Sequence, residues 1–237
     1  YSLRYLPEGL FGSGMLTSCS TFYLTFGDCR DLRYIPYIGV RNTADTRIDH
    51  MFSNCLDLRA IPKGFDASRM SSAGFDGVFS GCKECCDFSV FADAGGLDAI
   101  QRTANFDMTQ VFYNLDSFKV FPYVGQFTRA TNVTNLVAAS TQIKRFDSQY
   151  THLDFTNARD MQQTFQSCEN LQEIPTIKVT SLTNDNALYR TFMNCYSLTS
   201  VKFEGMIAGP NNGEYYQCFY ACKSLQYIEG IDFSYAD

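Results

Sequence analysis

The segment Met51-Phe-Ser-Asn-Cys-Leu-Asp-Leu-Arg-Ala-Ile-Pro62 contains a pattern that recurs along the whole chain. Written as Phe-x-x-Cys-x-x-Leu-x-x-Ile-Pro, it has five clear copies, which begin at Phe26, Phe52, Phe165, Phe192 and Phe219. Three looser copies lie between them and begin at Phe79, Phe112 and Val137. Successive copies start 26, 27, 33, 25, 28, 27 and 27 residues apart. A period of about 20–50 residues indicates a solenoid whose units bury their apolar faces against one another.

The spacing of apolar residues within one copy predicts its secondary structure. An apolar residue stands four positions before each leading residue, and the Cys position lies three after it, so we expect an α-helix that ends near the cysteine. The following Leu-x-x-Ile-Pro is expected to be a short strand that ends at the proline. The prediction is a single α/β solenoid domain, 1–237, of about eight repeats of 25–33 residues.

Two packing distances predict the shape of this array. Parallel strands lie about 4.8 Å apart, whereas helices pack about 8–10 Å apart. We therefore expect a curved solenoid with short parallel strands on the inner, concave face and helices on the outer face. The longest step, between Phe79 and Phe112, predicts an enlarged loop around Ala92–Asn105.

The bulk composition restricts the function. The net charge of −6 argues against a nucleic-acid partner, which would need a basic face. No signal peptide, membrane-spanning run or capping segment is visible, and Leu3, Leu6 and Pro7 match the second half of a repeat. The sequence is therefore expected to be an excerpt of a longer chain with flanking domains, and it predicts no membrane span in this segment.

The cysteines and histidines suggest structure more than chemistry. Six of the ten cysteines occupy the same repeat position, where a small apolar side chain suits a core. At the helix spacing they would lie too far apart for disulfides, and only Cys19, Cys86 and Cys218 would be free to pair. The cluster Cys82-x-x-Cys85-Cys86 lacks a second half for zinc, and His50 and His152 stand in no catalytic motif. We expect no enzyme activity, no cofactor and no metal.

The residues around the predicted strands are the candidates for ligand binding. Several should point to solvent on the inner face, where Tyr and Arg would be suited to binding hot spots. They are Arg33, Tyr34, Tyr37, Arg59, Lys63, Lys119, Tyr123, Lys144, Arg145, Gln226 and Tyr227. The alternative is a solvated sheet edge that carries ordinary polar residues.

The repeat resembles that of the BspA-like leucine-rich repeat family, whose units have the form Met-Phe-x-x-Cys-x-x-Leu-x-x-Ile/Leu. Two further segments, Asp154–Phe165 and Thr131–Val137, are similar to that family's Asp-(x)-Ser-Asn-Val-Thr stretch. The resemblance implies an extracellular or cell-surface protein that binds a protein or glycan ligand. Similar arrays in phage tail fibres leave open a virion component that recognises a host surface. A structural spacer is the third hypothesis.

Overall fold

The computed structural model describes residues 3–11, 21–38, 47–65, 74–100, 106–180, 182–184, 186–205 and 215–231. These residues form a parallel β-solenoid of about five turns with little helix. Every strand pair among them is parallel, and Phe52, Phe165 and Phe192 are buried. The predicted repeat solenoid with short parallel strands is thereby confirmed.

The strands of the described residues are short and belong to three sheets. In chain order they are β1 (Phe106–Asp107), β2 (Val120–Phe121), β3 (Ala130–Asn132), β4 (Arg145–Phe146), β5 (His152–Asp154), β6 (Thr176–Lys178), β7 (Ser200–Glu204) and β8 (Tyr227–Glu229). Strand β1 pairs with β3, β2 pairs with β4, and β5 to β8 form one sheet in sequence order. Isolated parallel bridges such as Tyr5 to Tyr34 and Ala60 to Asp87 continue the pairing in the N-terminal half.

The predicted outer helices are wrong for the described residues. The segments around Phe26, Phe52, Phe112, Phe165 and Phe192 are chains of successive turns. The helical elements of the described chain are α1 (Ser89–Asp93) and a 3-10 turn (Gly96–Ala99), both in the stretch between the copies that begin at Phe79 and Phe112. The architecture that the structure supports is therefore a β-solenoid, and the α/β part of the fold prediction is not supported.

The first turn segment shows why a chain of turns forms instead of a helix. The N–H groups of Thr25, Gly27 and Cys29 donate to carbonyls three residues earlier in the same unit. The intervening N–H groups of Leu24, Phe26 and Asp28 donate to carbonyls of the next unit along the chain. A helix would direct every N–H to the carbonyl four residues earlier, within the same segment. Alternate donors therefore serve the turn and the neighbouring unit.

This alternation requires left-handed backbone at two positions of the unit. The residues two before and two after the leading residue have positive φ, for example His50 at 53° and Asn54 at 58° around Phe52. Glycine fills both positions around Phe79, at Gly77 and Gly81. Positive φ at the third residue of a turn is the geometry of a type II turn.

The turns also remove the basis for the predicted curvature. That prediction compared helix spacing on one side of the array with strand spacing on the other. Here backbone hydrogen bonds link neighbouring units on the turn side, as from Phe52 to Val78, and on the strand side, as from Arg59 to Arg33. Both sides therefore have the spacing of hydrogen-bonded strands, about 4.8 Å. The structure gives no support for helices outside and a concave strand face inside.

Stacked phenylalanines occupy the centre of the core. Phe26, Phe52 and Phe79 stack with ring centroids 5.8 and 6.0 Å apart and planes within 4°. Phe165, Phe192 and Phe219 form a similar stack near the C-terminal end, with centroids 5.2 and 5.4 Å apart. Offset stacks of this kind contribute beyond simple burial. The leading residue of each unit is thus fixed by its counterparts in the neighbouring units.

The cysteine position has a hydrogen-bonding role. The thiol of Cys55 lies 3.0 Å from the carbonyl oxygen of Phe26, the leading residue of the preceding unit. The same contact recurs from Cys82, Cys168, Cys195 and Cys222 at 3.1, 3.3, 3.1 and 3.1 Å. In the unit led by Val137 the position holds Ser140, whose hydroxyl donates to Phe112 at 3.2 Å. In these units the position holds a small side chain with a donor, whereas the unit led by Phe112 has Leu115 there.

The extra residues after Phe79 fold onto the next unit. The N–H of Leu97 donates to the carbonyl of Val124 at 2.7 Å, and Leu97 and Ile100 are buried. The carboxylate of Asp98 accepts from the N–H of Gln126 at 3.0 Å and from the Tyr123 hydroxyl at 3.3 Å. The predicted enlarged loop is thus a packed element as far as residue 100, and its remainder, 101–105, lies outside the described residues.

Substitutions at Ser140 test the donor position. The Ser140 hydroxyl donates to the Phe112 carbonyl and accepts from the buried N–H of Leu115 at 3.0 Å. Ser140→Ala removes both hydrogen bonds. We expect a loss of about 1–3 kcal/mol in the free energy of unfolding, measured by urea denaturation. Ser140→Cys keeps a donor and should lose less, while Ser148→Ala at an exposed position should change little. Equal losses for the alanine and cysteine variants would contradict the role.

Candidate functional site

A column of mostly exposed side chains runs along the strand side of the solenoid. We call it the ladder face and define it as the two residues that follow the Leu position of each unit, seven and eight positions after its leading residue, together with Arg4-Tyr5, which follow Leu3 in the same way. Its rungs are Arg4-Tyr5, Arg33-Tyr34, Arg59-Ala60, Cys86-Asp87, Lys119-Val120, Lys144-Arg145, Gln172-Glu173, Thr199-Ser200 and Gln226-Tyr227. Ala60 and Val120 are half-buried, and the other members are exposed.

Backbone hydrogen bonds hold the rungs in two continuous runs. In the first run, Arg33 donates to Arg4, Arg59 to Arg33 and Cys86 to Arg59, at 2.9, 3.2 and 3.0 Å. The second run begins where Lys144 donates to Lys119 at 2.8 Å and continues through Gln172 and Thr199 to Gln226. The ladder face is therefore as rigid as a sheet, because its spacing is fixed by the backbone.

Most of the candidate residues come together on this face. Eight of the eleven belong to rungs: Arg33, Tyr34, Arg59, Lys119, Lys144, Arg145, Gln226 and Tyr227. Tyr37 and Lys63 lie beside it, paired with each other through a parallel bridge after the strand. Tyr123 is half-buried, and its ring lies 4.7 Å from that of Tyr150. Since its hydroxyl contacts Asp98, Tyr123 serves to hold the inserted element.

The first rung supplies two residues that the sequence-based candidate set lacked. Arg4 and Tyr5 stand next to Arg33 and Tyr34, through a backbone hydrogen bond and a parallel bridge. Their signal was available in the sequence, since Leu3 and Leu6 align with the Leu and Ile positions of a repeat. Arg-Tyr therefore occurs on two consecutive rungs, followed by Arg59 on the third.

The cations of the ladder face fall into two groups by their partners. Arg33 pairs with Asp57 at 3.3 Å and Arg59 with Glu84 at 2.9 Å, in each case across to the next unit. All four side chains are substantially exposed, and pairs of this kind contribute little to stability. Within the described ranges, no ion pair is found for Arg4, Lys119, Lys144 or Arg145. The face thus holds cationic side chains that an anionic ligand can reach.

The two ends of the solenoid carry the exposed aromatic rings. Tyr5 and Tyr34 are 59% and 47% exposed at the N-terminal end of the ladder face, and Tyr227 is 54% exposed at the other end. The hydroxyl of Tyr227 donates to Glu229 at 2.6 Å, and this hydrogen bond raises the pKa of Tyr227 and lowers that of Glu229. Glu229 also pairs with Lys202 at 3.4 Å. The C-terminal ring is therefore part of a polar network, unlike the Arg-Tyr rungs.

The cysteines are thiols with little reactivity. All nine in the described part of the chain are free, and Cys19 lies outside it. Helix spacing does not account for the reduced cysteines; six of these nine thiols are buried, and those at the repeat position, as at Cys55 and Cys195, donate to carbonyls of the preceding unit. Burial raises the pKa of Cys55, Cys85 and Cys168 to about 12, which disfavours the nucleophilic thiolate. Cys86 is the exposed exception, on the ladder face.

The two histidines stand apart from each other. His50 lies in a turn with φ of 53° and is partly buried. Its Nε2 atom lies 3.5 Å from the carboxylate of Asp76. Burial, followed by the nearby Asp107 and Asp49, raises the pKa of Asp76 despite His50. The Oδ1 atom of Asp76 is buried and has no hydrogen-bond partner among the described residues.

Two other kinds of site were sought in the described part of the chain. No cluster of three or more His, Cys, Asp or Glu side chains suited to a metal ion occurs there. The same residues contain no helix with the length and apolar character needed to cross a bilayer. The chain matches no family model, and no curated protein matches it.

Thiol alkylation tests the environment of the cysteines. We expect iodoacetamide to modify Cys86 in the native protein at mildly alkaline pH, whereas Cys82, Cys168 and Cys195 should react only after denaturation. The reason is their burial, which both blocks access and raises the pKa. Peptide mass spectrometry measures each site. Native modification of Cys195 as fast as that of Cys86 would contradict the structure.

The raised pKa of Asp76 predicts a pH-dependent stability. Folding favours the protonated carboxyl, so its contribution is present below the ordinary aspartate pKa and is lost as the pH rises through the raised one. Asp76→Asn should remove this loss. As the pH rises from the ordinary aspartate pKa through the raised one, the free energy of unfolding of the variant should therefore increase relative to that of the wild type. Urea denaturation at several pH values measures the difference. The exposed substitution Asp93→Asn should show no such trend.

Proposed function

We propose that this protein is a non-catalytic recognition module that binds a ligand through the ladder face. The observation that carries the proposal is the arrangement of Arg and Tyr side chains on consecutive, hydrogen-bonded rungs. Because the backbone fixes their spacing, little conformational entropy is lost when they contact a ligand. Tyr and Arg are also the residues most often found at binding hot spots.

We propose that the solenoid consists of eight repeating units. The support is a backbone hydrogen bond from each leading residue to the next unit, which runs from Phe26 through Phe52, Phe79, Phe112, Val137 and Phe165 to Phe192. Membership of the BspA-like leucine-rich repeat family is part of the same proposal. It rests on the repeat motif, since the turn chains lie where leucine-rich repeats of the predicted kind would have helices.

The proposed setting is extracellular, at a cell surface, with a protein or glycan as the ligand and adhesion as the outcome. This follows the family resemblance. A virion component that recognises a host surface is the second candidate function. The cationic rungs favour either of these over a plain spacer, because Arg4, Lys119, Lys144 and Arg145 have no ion-pair partner among the described residues. A spacer would have no need of unpaired charges in one column.

Tyrosine substitutions test the use of the ladder face. The double variant Tyr34→Ser/Tyr227→Ser removes two exposed rings and should leave the melting temperature nearly unchanged. Wild-type protein is applied to arrays of immobilised glycans and of extracellular matrix proteins. On the features that it binds, the variant should lose about tenfold or more in affinity, because aromatic anchors carry much of the binding energy.

The control variant is Tyr216→Ser/Tyr220→Ser, which removes two rings of similar exposure outside the ladder face. It should bind as the wild type does. The proposal fails if the wild type binds nothing on either array, or if both double variants weaken binding equally. Loss of binding on substitution of the exposed Asp93 and Ala94 alone would place the site at the inserted element instead.

A further inference from the structure

We propose that the first three rungs of the ladder face, Arg4-Tyr5, Arg33-Tyr34 and Arg59-Ala60, bind a linear anionic polysaccharide. We call these rungs the Arg-Tyr platform. The ligand class is a 1,4-linked chain of pyranose sugars that carry carboxylate or sulfate groups. The inference rests on the proposed function, since it names the ligand of the same face.

The side-chain chemistry of the platform matches both parts of such a sugar. The planar guanidinium group binds carboxylate or sulfate oxygens through two parallel hydrogen bonds. An exposed tyrosine ring offers an apolar face to the C–H groups of a pyranose and a hydroxyl to its oxygens. Tyr5 and Tyr34 are about half exposed and are direct neighbours of Arg4 and Arg33 in the chain. Each of the first two rungs therefore presents one anion-binding group and one stacking group.

The spacing of the rungs favours a polysaccharide over an acidic peptide. Neighbouring rungs are joined by the hydrogen bonds from Arg33 to Arg4 and from Arg59 to Arg33, so they repeat at about 4.8 Å. One pyranose unit advances a 1,4-linked chain by a similar length, which allows one sugar per rung. An extended peptide places side chains of one face about 6.6 Å apart, twice its rise per residue, and falls out of register.

The charges around the platform define its extent. Arg33 pairs with Asp57 and Arg59 pairs with Glu84 at the surface. Because exposed ion pairs are weak, an anionic ligand can compete with these carboxylates for the two guanidinium groups. Asp31 is also exposed in the unit of Arg33, and the next rung carries the exposed Asp87, which repels an anionic chain. The platform therefore ends after Arg59. The protein's net charge of −6 disfavours general attraction of polyanions, so binding depends on this local geometry.

The experiment uses the full chain and labelled oligosaccharides of matched length. Alginate oligosaccharides carry carboxylates, heparin oligosaccharides carry sulfates and carboxylates, and cello-oligosaccharides are neutral. Fluorescence anisotropy should show binding to at least one anionic series, with affinity that rises from disaccharide to tetrasaccharide as successive rungs are filled. Neutral oligosaccharides should bind at least tenfold more weakly. Added salt should weaken the anionic binding, because the contacts are exposed.

Matched variants locate the site. Arg33→Gln/Arg59→Gln should weaken binding of the anionic tetrasaccharide at least tenfold, with an unchanged melting temperature. Arg159→Gln/Lys223→Gln changes the net charge by the same amount at exposed positions outside the ladder face and should have little effect.

Each other outcome overturns the inference. Equal losses for the two double variants would indicate attraction by net charge alone. Stronger binding of a poly-glutamate peptide or of single-stranded DNA than of either anionic sugar would assign the platform to another class of ligand. Failure of both anionic series, while tyrosine-dependent binding persists on the arrays, would refute the polysaccharide and leave the recognition function standing. Absence of any binding in both experiments would refute both.

Discussion

The whole structure depends on how the turn segments divide their N–H groups between two partners. One N–H closes a turn within the unit, and the next N–H donates to the neighbouring unit, as Thr25 and Phe26 do. Left-handed backbone at non-glycine residues costs about 1–2 kcal/mol for each residue. The cost is offset because each such turn directs a donor across to the next unit and buries a phenylalanine among its counterparts. Isolated from its neighbours, a single unit would keep the strain and lose both contacts.

The sequence predicted the repeat, the parallel pairing and the core, but it could not distinguish a helix from a chain of turns. Apolar residues at −4, 0 and +3 around Phe52, namely Ile48, Phe52 and Cys55, are all buried, as a helix would also have them. The missed signal is at the positions of positive φ. Asn54, Gly81 and Asn194 are of residue types that occur both at the ends of helices and in left-handed backbone. At the other such position the chain has Leu24, His50 and Arg190, whose types carry no warning.

The exposure of most candidate residues follows from the repeat spacing and not from the predicted helices. Arg33, Tyr34 and Arg59 belong to one exposed column because they lie one or two residues after the buried Leu position of their unit. This spacing is the same whether a helix or a chain of turns precedes the Leu position. The half-buried position of Tyr123 could not be predicted, since Asp98 of the inserted element lies against its hydroxyl and no repeat pattern describes an insertion. The role of the cysteines was also beyond the pattern. Their thiols reach carbonyls of the preceding unit, a contact that exists only because the units stack at strand spacing.

Cys195 lies three residues after Phe192, the leading residue of its unit. Its thiol donates to the carbonyl oxygen of Phe165, the leading residue of the preceding unit. The units with Cys or Ser at this position thus carry a side-chain donor for their predecessor, whereas the unit led by Phe112 has Leu115 there and is joined to its predecessor by backbone hydrogen bonds such as that from Phe79 to Val111. The unit led by Val137 shows the tolerance of this connector, because a hydroxyl takes the place of a thiol there. Genes that encode such arrays can therefore lengthen or shorten by whole units through unequal recombination, with the same backbone contacts formed at each new junction. Length, and with it the reach of the exposed column, becomes a property that evolution can adjust without redesigning the core.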